Sequence, residues 1–198
     1  DRRQDQKWKR ERGREAGLSA QGGSATAVGY AAGCASQAAS AVAIGINAGK
    51  TAQGDSAVAV GNLAGSSTQG ASSVAIGRDA GKMDQAANSV AIGRSAAQNS
   101  QGSQAVAIGY LAGCGSQGAS SVAVGDSACK VSQGDYTVAV GLNAGSNSQN
   151  TYSVAVGRSA GYSSQGANAI AIGYTSGFYT SDAADDTQCV LSGCPRSG

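Results

Sequence analysis

The sequence predicts an all-β fold, a parallel β-solenoid of ten 16-residue coils. A glycine recurs every 16 residues from Gly29 to Gly173 without insertion or deletion, and a glutamine recurs with the same period from Gln21 to Gln165. Each unit also carries a triplet such as Val-Ala-Ile, whose large-small-large alternation is typical of a strand. A unit this short leaves no room for a crossover helix, so each unit is expected to form one turn that stacks on the next in the same register.

The chain divides into three expected segments. Residues 1–12 form a basic cap or arm that holds six of the 14 Lys and Arg residues, residues 13–181 form the solenoid, and residues 182–198 form a tail. A short helix that covers the first coil is one expectation for the cap, because solenoids need protected edges. An arm that contacts an acidic partner is the other expectation. Trp8 would anchor either arrangement.

Within each unit, the strand is expected at positions such as Val74–Ile76, with the columns of Val and Ile facing the interior of the coil. Gly77 and the Gly-x-x-Ala-Gly stretch that it begins favour positive φ, which indicates a tight corner. The residue after each recurring glycine varies in type, as Tyr30, Arg94 and Asp126 show. A packed position would not tolerate that mixture, so this corner is predicted to be exposed.

The opposite face of the strand carries a column of pure alanine. We interpret it as a flat strip that packs against another subunit, and an alanine that is merely harmless on an exposed strand is the alternative. The subunit-contact candidates are Ala75, Ala91, Ala107 and Ala123. The glutamine column is expected to form a ladder of side-chain amides that hydrogen-bond along the solenoid axis.

The five cysteines are assigned partners by spacing. Cys34 and Cys114 lie five coils apart in one column, about 24 Å, which is too far for a disulfide. Cys129 follows Cys114 by 15 residues, at an expected Cα separation of about 6 Å. We therefore expect disulfides between Cys114 and Cys129 and between Cys189 and Cys194, with Cys34 free or bonded to another chain. A buried free thiol at Cys129 is the alternative.

The composition disfavours catalysis. The chain has no histidine, which removes Ser-His-Asp and Cys-His nucleophile systems and the commonest metal ligand. Aspartates do not recur in one column, so a calcium site in each coil is not expected. Residues 45–51 are similar to a phosphate-binding loop but have three residues between the glycines where the motif requires four. No enzyme activity, cofactor or metal is predicted.

Residues 73–77 and 88–93 contain the string Ser-Val-Ala-Ile-Gly, and residues 121–125 carry it with Val for Ile. This unit resembles the head repeat of trimeric autotransporter adhesins of the YadA-like type. Residues 29–33 are similar to the Gly-Tyr-x-Ala-Gly repeats of phage and viral fibre proteins. The resemblance covers residues 13–177. It implies a left-handed parallel β-roll, three chains side by side, and a role as a surface adhesin or fibre head.

The expected function is that of a structural, adhesive rod: an adhesin head, fibre or filament subunit. Low charge and the cysteines favour an extracellular location, at a cell or virion surface. The expected partners are copies of the chain, as a trimer or filament, and a cell-surface or matrix receptor, without nucleic acid or membrane insertion. An ice-binding solenoid is the alternative. It would need a row of hydroxyls, and Thr26, Thr51, Thr68 and Thr137 share no column.

Overall fold

A computed structural model describes residues 10–177 and 190–191, with side-chain surroundings for residues 13–177. The described residues form short strands and no helix. In chain order the strands are β1 (Arg10–Arg12), β2 (Thr26–Val28), β3 (Ala35–Gln37), β4 (Val42–Ile44), β5 (Thr51–Gln53), β6 (Val58–Val60), β7 (Val74–Ile76), β8 (Val90–Ile92), β9 (Ser100–Gln101), β10 (Val106–Ile108), β11 (Ser116–Gln117), β12 (Val122–Val124), β13 (Ser132–Gln133), β14 (Val138–Val140), β15 (Ser148–Gln149), β16 (Val154–Val156), β17 (Ile170–Ile172) and β18 (Val190–Leu191).

The strands confirm the predicted parallel β-solenoid. The main sheet has 12 strands in the order β1-β2-β4-β6-β7-β8-β10-β12-β14-β16-β17-β18. Its pairs are parallel, and from β1 to β17 each residue pairs with the one 16 positions on, as Ala75 pairs with Ala91. A smaller sheet, β15-β13-β11-β9, and the pair β3-β5 form the other side of the coil, called the second side below. The strands from β2 to β17 give about nine turns, close to the expected ten coils.

Both ends of the main sheet extend beyond the repeat strands. Strand β1 pairs with β2 and β18 pairs with β17. Residues 10–12 of the expected cap therefore lie in a strand and not in the short helix considered for it. The rest of that segment and most of the tail, including Cys189 and Cys194, lie outside the described residues.

The two faces of each main-sheet strand are the reverse of those predicted. The central alanine of the triplet is fully buried in coil after coil, as Ala75 and Ala91 show with no exposed surface. The flanking residues face outward: Val74 is half-buried and Ile76 is 39% exposed. The prediction that Val and Ile form the interior is wrong.

The narrowness of the coil explains this arrangement. Opposite Ala75 lie the corner residue Gly81 and the buried side chain of Gln85. A Cβ atom placed on Gly81 would lie 2.6 Å from Gln85 Oε1 and 3.3 Å from the Ala75 Cβ. No space remains for a branched side chain at position 75, since interiors this close-packed resist even one added methylene. The core is therefore made of alanines, serines and glutamines.

The buried glutamines confirm the predicted amide ladder in part, at four of its nine steps, and add a second role. Four pairs bond along the axis, for example Gln85 Nε2 to Gln101 Oε1 at 3.1 Å. Every glutamine of the buried column from Gln37 to Gln165 also donates from Nε2 to a carbonyl oxygen of the main-sheet strand, 11 residues earlier. The amides thus tie the two sides of each coil together and replace water at buried carbonyl oxygens.

The recurring glycine is required by a close backbone approach. Gly77 has φ of +124°, and a Cβ there would lie 2.7 Å from the carbonyl oxygen of Gly93 in the next coil. The corner predicted from the Gly-x-x-Ala-Gly stretch is confirmed. Two non-glycine positions take positive φ in coil after coil, as Ser72 (55°) and Asp79 (58°) do, and a third takes it in some coils, as Ser36 (57°) does. The sequence does not signal these two positions, because their residue types vary.

Candidate interaction surfaces

The first candidate surface is a strip of outward-facing Val and Ile side chains on the main sheet, called the Val/Ile strip below. Each of its side chains is half-buried or exposed. Its two columns are Val42, Val58, Val74, Val90, Val106, Val122, Val138, Val154 and Ile170, and Val28, Ile44, Val60, Ile76, Ile92, Ile108, Val124, Val140, Val156 and Ile172. Nine strand spacings make the strip about 43 Å long, and its columns lie about 7 Å apart. Its area of about 300 Å² is at the lower end of the range found for the largest apolar patch on a typical monomer.

The alanines predicted to contact another subunit cannot do so in this fold. Ala75, Ala91, Ala107 and Ala123 have no exposed surface even in the isolated chain, because they face the interior of their own coil. The prediction is wrong for the same reason as the reversed strand faces. The surface available to a second copy on this side of the solenoid is the Val/Ile strip.

The second candidate surface is the corner that follows the strip, called the basic edge below. All the Lys and Arg residues between positions 16 and 177 lie on it, as the first or fifth residue after a recurring glycine. They are Lys50, Arg78, Lys82, Arg94, Lys130 and Arg158. The prediction that this corner is exposed is confirmed, since the first residue after each glycine is exposed from Tyr30 to Tyr174.

Charge pairing within the basic edge is partial. Asp79 Oδ2 lies 3.3 Å from Arg78 Nε, and its Oδ1 lies 3.2 Å from Lys82 Nζ. Asp126 also lies on this edge and accepts a hydrogen bond from the Ser127 hydroxyl at 2.8 Å. Among the described residues, the other four cations of the basic edge form no ion pair.

Two arginines of the basic edge are held over tyrosine rings. The guanidinium carbon of Arg94 lies 4.3 Å from the ring centroid of Tyr110, one coil further on. Arg158 lies 5.4 Å from the ring centroid of Tyr174. Both distances are within cation–π range, and both tyrosines are themselves exposed. The stacks keep the guanidinium groups on the outer surface.

The remaining circumference of the coil carries acidic and neutral groups. Asp55 and Asp135 each accept a hydrogen bond from a backbone N–H of the preceding coil, at 3.1 and 2.7 Å. Tyr136 and Tyr152 stack in parallel with ring centroids 5.2 Å apart. With Asp84, the carboxylates here number three, and no Lys or Arg between positions 16 and 177 lies among them. Charge is thus segregated around the solenoid.

The cysteine thiols do not form the disulfide predicted within the repeat. Cys114 Sγ donates to Gln98 Oε1 of the preceding coil at 3.6 Å, whereas Cys129 Sγ donates to Gln149 Oε1 of the following coil at 2.9 Å. The two thiols point in opposite axial directions, and both are free, as is Cys34. Burial raises the pKa of both the Cys114 and the Cys129 thiols. The prediction for Cys114 and Cys129 is wrong; that for the tail lies outside the described residues.

Other kinds of site were sought in the same part of the chain. Between the described termini, no group of three or more Cys, Asp or Glu side chains could hold a metal ion. None of the described segments forms an apolar helix long enough to cross a membrane. A cavity of about 340 Å³ next to Tyr162 and Ser176 lies at the last described coil, and it does not define a site.

Sequence reasoning missed the basic edge, although the signal was present. Aligning the repeats by their glycines puts each cation in one of two columns, but each column mixes cations with other residue types. Comparisons of the chain with protein-family models, with curated proteins and with solved structures found no match.

Proposed function

We propose that the protein is a non-catalytic structural rod that associates side by side with copies of itself through the Val/Ile strip, as an adhesin head, fibre or filament subunit. The observation that carries this proposal is the pair of outward columns of Val and Ile. In an isolated solenoid these β-branched side chains favour the strand conformation, but part of their apolar surface stays in contact with water. A second copy would remove them from water.

The area of the Val/Ile strip alone is smaller than that of a stable interface. Burying about 300 Å² on each partner contributes several kcal/mol per face, at about 25 cal/mol per Å². Association itself costs about 4 to 15 kcal/mol, and stable interfaces bury about 800 Å² on each partner. The corner that precedes the strip must therefore join the contact, which leaves the opposite corner exposed. A three-chain arrangement, which the resemblance to adhesin heads implies, would give each copy two such contacts.

The test is the mass of the protein in solution by light scattering after size-exclusion chromatography. We expect an oligomer for the unmodified chain and a monomer for the double variant Ile76→Glu/Ile108→Glu. Met83→Glu/Val131→Glu is the matched control, because it adds the same charge at apolar residues on the second side, which are 42% and 52% exposed. A monomeric unmodified chain, or an equal effect of both variants, would overturn the proposal.

The location and the receptor belong to the same proposal. Placement at a cell or virion surface rests on the resemblance, because free thiols at Cys34, Cys114 and Cys129 give no support to an oxidising compartment. A receptor would contact the exposed corners, whose residues vary from coil to coil. Surface biotinylation of cells or particles that produce the protein tests the location directly.

Ice binding is the second candidate function, and one observation favours it. Ser100, Ser116, Ser132, Ser148 and Ser164 form an in-register row of hydroxyls on the second side of the solenoid. The row is the kind of regular hydroxyl array that was not found among the threonines. Thermal hysteresis of a purified sample measures this activity. Its presence in the unmodified chain and its loss in Ser116→Lys/Ser132→Lys would favour ice binding over lateral association.

A further inference from the structure

We propose that the basic edge binds a linear acidic polysaccharide, one whose sugars carry sulfate or carboxylate groups. The inference is separate from lateral association, because the cations lie on the corner and not on the Val/Ile strip. All six Lys and Arg residues between positions 16 and 177 occupy only two of the 16 positions in the coil. Random placement on exposed positions would distribute them around the solenoid.

Four of these cations are available to a ligand. Lys50, Arg94, Lys130 and Arg158 are exposed and form no ion pair within the described part of the chain. Arg94 and Arg158 are ordered by their stacks on Tyr110 and Tyr174, so less side-chain freedom is lost when an anion binds. A guanidinium group also matches sulfate and carboxylate in a two-pronged hydrogen-bonding geometry.

The spacing of the cations suits a polymer of moderate charge density. From Lys50 to Arg158 the edge spans seven coils, about 34 Å, and its four available cations follow one another at intervals of two or three coils, about 10 to 14 Å. Acidic polysaccharides carry their charges at intervals of one or two sugar rings. Duplex DNA carries one charge per about 1.7 Å of axis, so most of its phosphates would find no partner on this edge. The spacing therefore favours the polysaccharide over nucleic acid.

Sugar rings would also meet aromatic groups on this edge. Tyr30 and Tyr162 are exposed on the same corner, and no arginine of the described residues stacks on them, so the faces of their rings are available to sugar C–H groups. Exposed Asn62 adds an amide that can donate to and accept from hydroxyls. The edge thus offers cations, aromatic faces and an amide in one row.

The test uses heparin as the probe and the full chain. Four charges are removed from the edge in Lys50→Gln/Arg94→Gln/Lys130→Gln/Arg158→Gln, all at exposed side chains. The matched control, Arg2→Gln/Arg3→Gln/Lys7→Gln/Lys9→Gln, removes four charges from the basic N-terminal segment. Both variants have the same net charge. Affinity for heparin is measured by surface plasmon resonance at several salt concentrations.

We expect the edge variant to bind heparin about tenfold or more weakly than the control, as the loss of four exposed ion pairs implies. Its affinity should also depend less steeply on salt. Affinity for heparin fragments should rise with length until they span the edge. Equal losses in the two variants, or a larger loss in the N-terminal variant, would overturn the assignment to the edge. Tighter binding of duplex DNA than of heparin at equal salt would overturn the ligand class.

Discussion

The side chain of Gln101 donates from Nε2 to the carbonyl oxygen of Val90 at 2.8 Å, across the interior of the coil. The same nitrogen lies 3.2 Å from the carbonyl oxygen of Ala105 and 3.1 Å from Gln117 Oε1. One buried amide of the second side therefore joins strand β8, the residue before strand β10 and the next glutamine of the ladder. Because the core of the rod is mostly alanine, such contacts are needed to hold the two sides of each coil together.

Gln101→Leu should destabilise the protein by about 3 kcal/mol, because a side chain of similar size removes the buried hydrogen bond to the Val90 carbonyl and leaves Gln117 Oε1 without its donor. Urea unfolding followed by circular dichroism measures the change. Gln104→Leu is the control, since Gln104 is exposed on the neighbouring corner and its loss should change stability by less than about 0.5 kcal/mol. Equal effects of the two substitutions would contradict the structural role of the ladder.

Periodicity alone predicted much of this fold: the coil length, the register, the exposed corner and the glutamine ladder. It could not predict which strand face is buried, because Val-Ala-Ile alternates in size equally well in either direction. The outcome depends on the width of the coil, which is set by contacts between residues such as Ala75, Gly81 and Gln85. One signal was present. Val60 and Ile76 exchange freely within a column, and a close-packed interior resists such exchange.

The interaction surfaces were predictable only in part. The residue types of the basic edge are visible in the aligned repeats, but its separation from the carboxylates of Asp55 and Asp135 follows from how the coil closes. The disulfide between Cys114 and Cys129 was inferred from Cα separation. Whether a disulfide can form also depends on the direction of the side chains, and the two thiols point to opposite neighbouring coils.

Gly77→Ala should be strongly destabilising, by about 3 kcal/mol or more, because the added Cβ meets the backbone of Gly93 and the residue has φ of +124°. Gly23→Ala is the matched control, as a Cβ there meets nothing within 4 Å. Thermal unfolding of both variants, compared with the unmodified chain, gives the difference. If Gly77→Ala were as stable as Gly23→Ala, the close stacking of corners would be wrong.

Ala107→Val should destabilise the solenoid by about 1 to 3 kcal/mol, because the position is fully buried and the interior has no room for two more methyl groups. The neighbouring Ile108 is 38% exposed, so Ile108→Thr should cost about 1 kcal/mol or less. Urea unfolding at a concentration where both variants are monomeric separates stability from association. The opposite order of stability would mean that Val and Ile, and not alanine, face the interior of the coil.

Cys129 gives the solenoid a sensitivity to alkaline pH. The residue is fully buried, and burial raises the pKa of its thiol, so the folded chain keeps the proton at a pH where the unfolded chain releases it, above about 8.5. Stability should therefore fall as pH rises from 8.5. Between pH 7 and pH 10 the loss from this group should reach about 2 kcal/mol, at about 1.4 kcal/mol per pH unit.

The comparison that isolates this effect is Cys129→Gly, which restores the residue found at the equivalent position of most other coils. The variant keeps the tyrosines and the other thiols, whose titration cancels in the difference between the two proteins. Its unfolding free energy should fall less steeply with pH than that of the unmodified chain. Cys129 should also resist alkylation in the folded protein while half-buried Cys34 and Cys114 react. Parallel pH profiles, or rapid alkylation of Cys129, would show that this thiol is not buried.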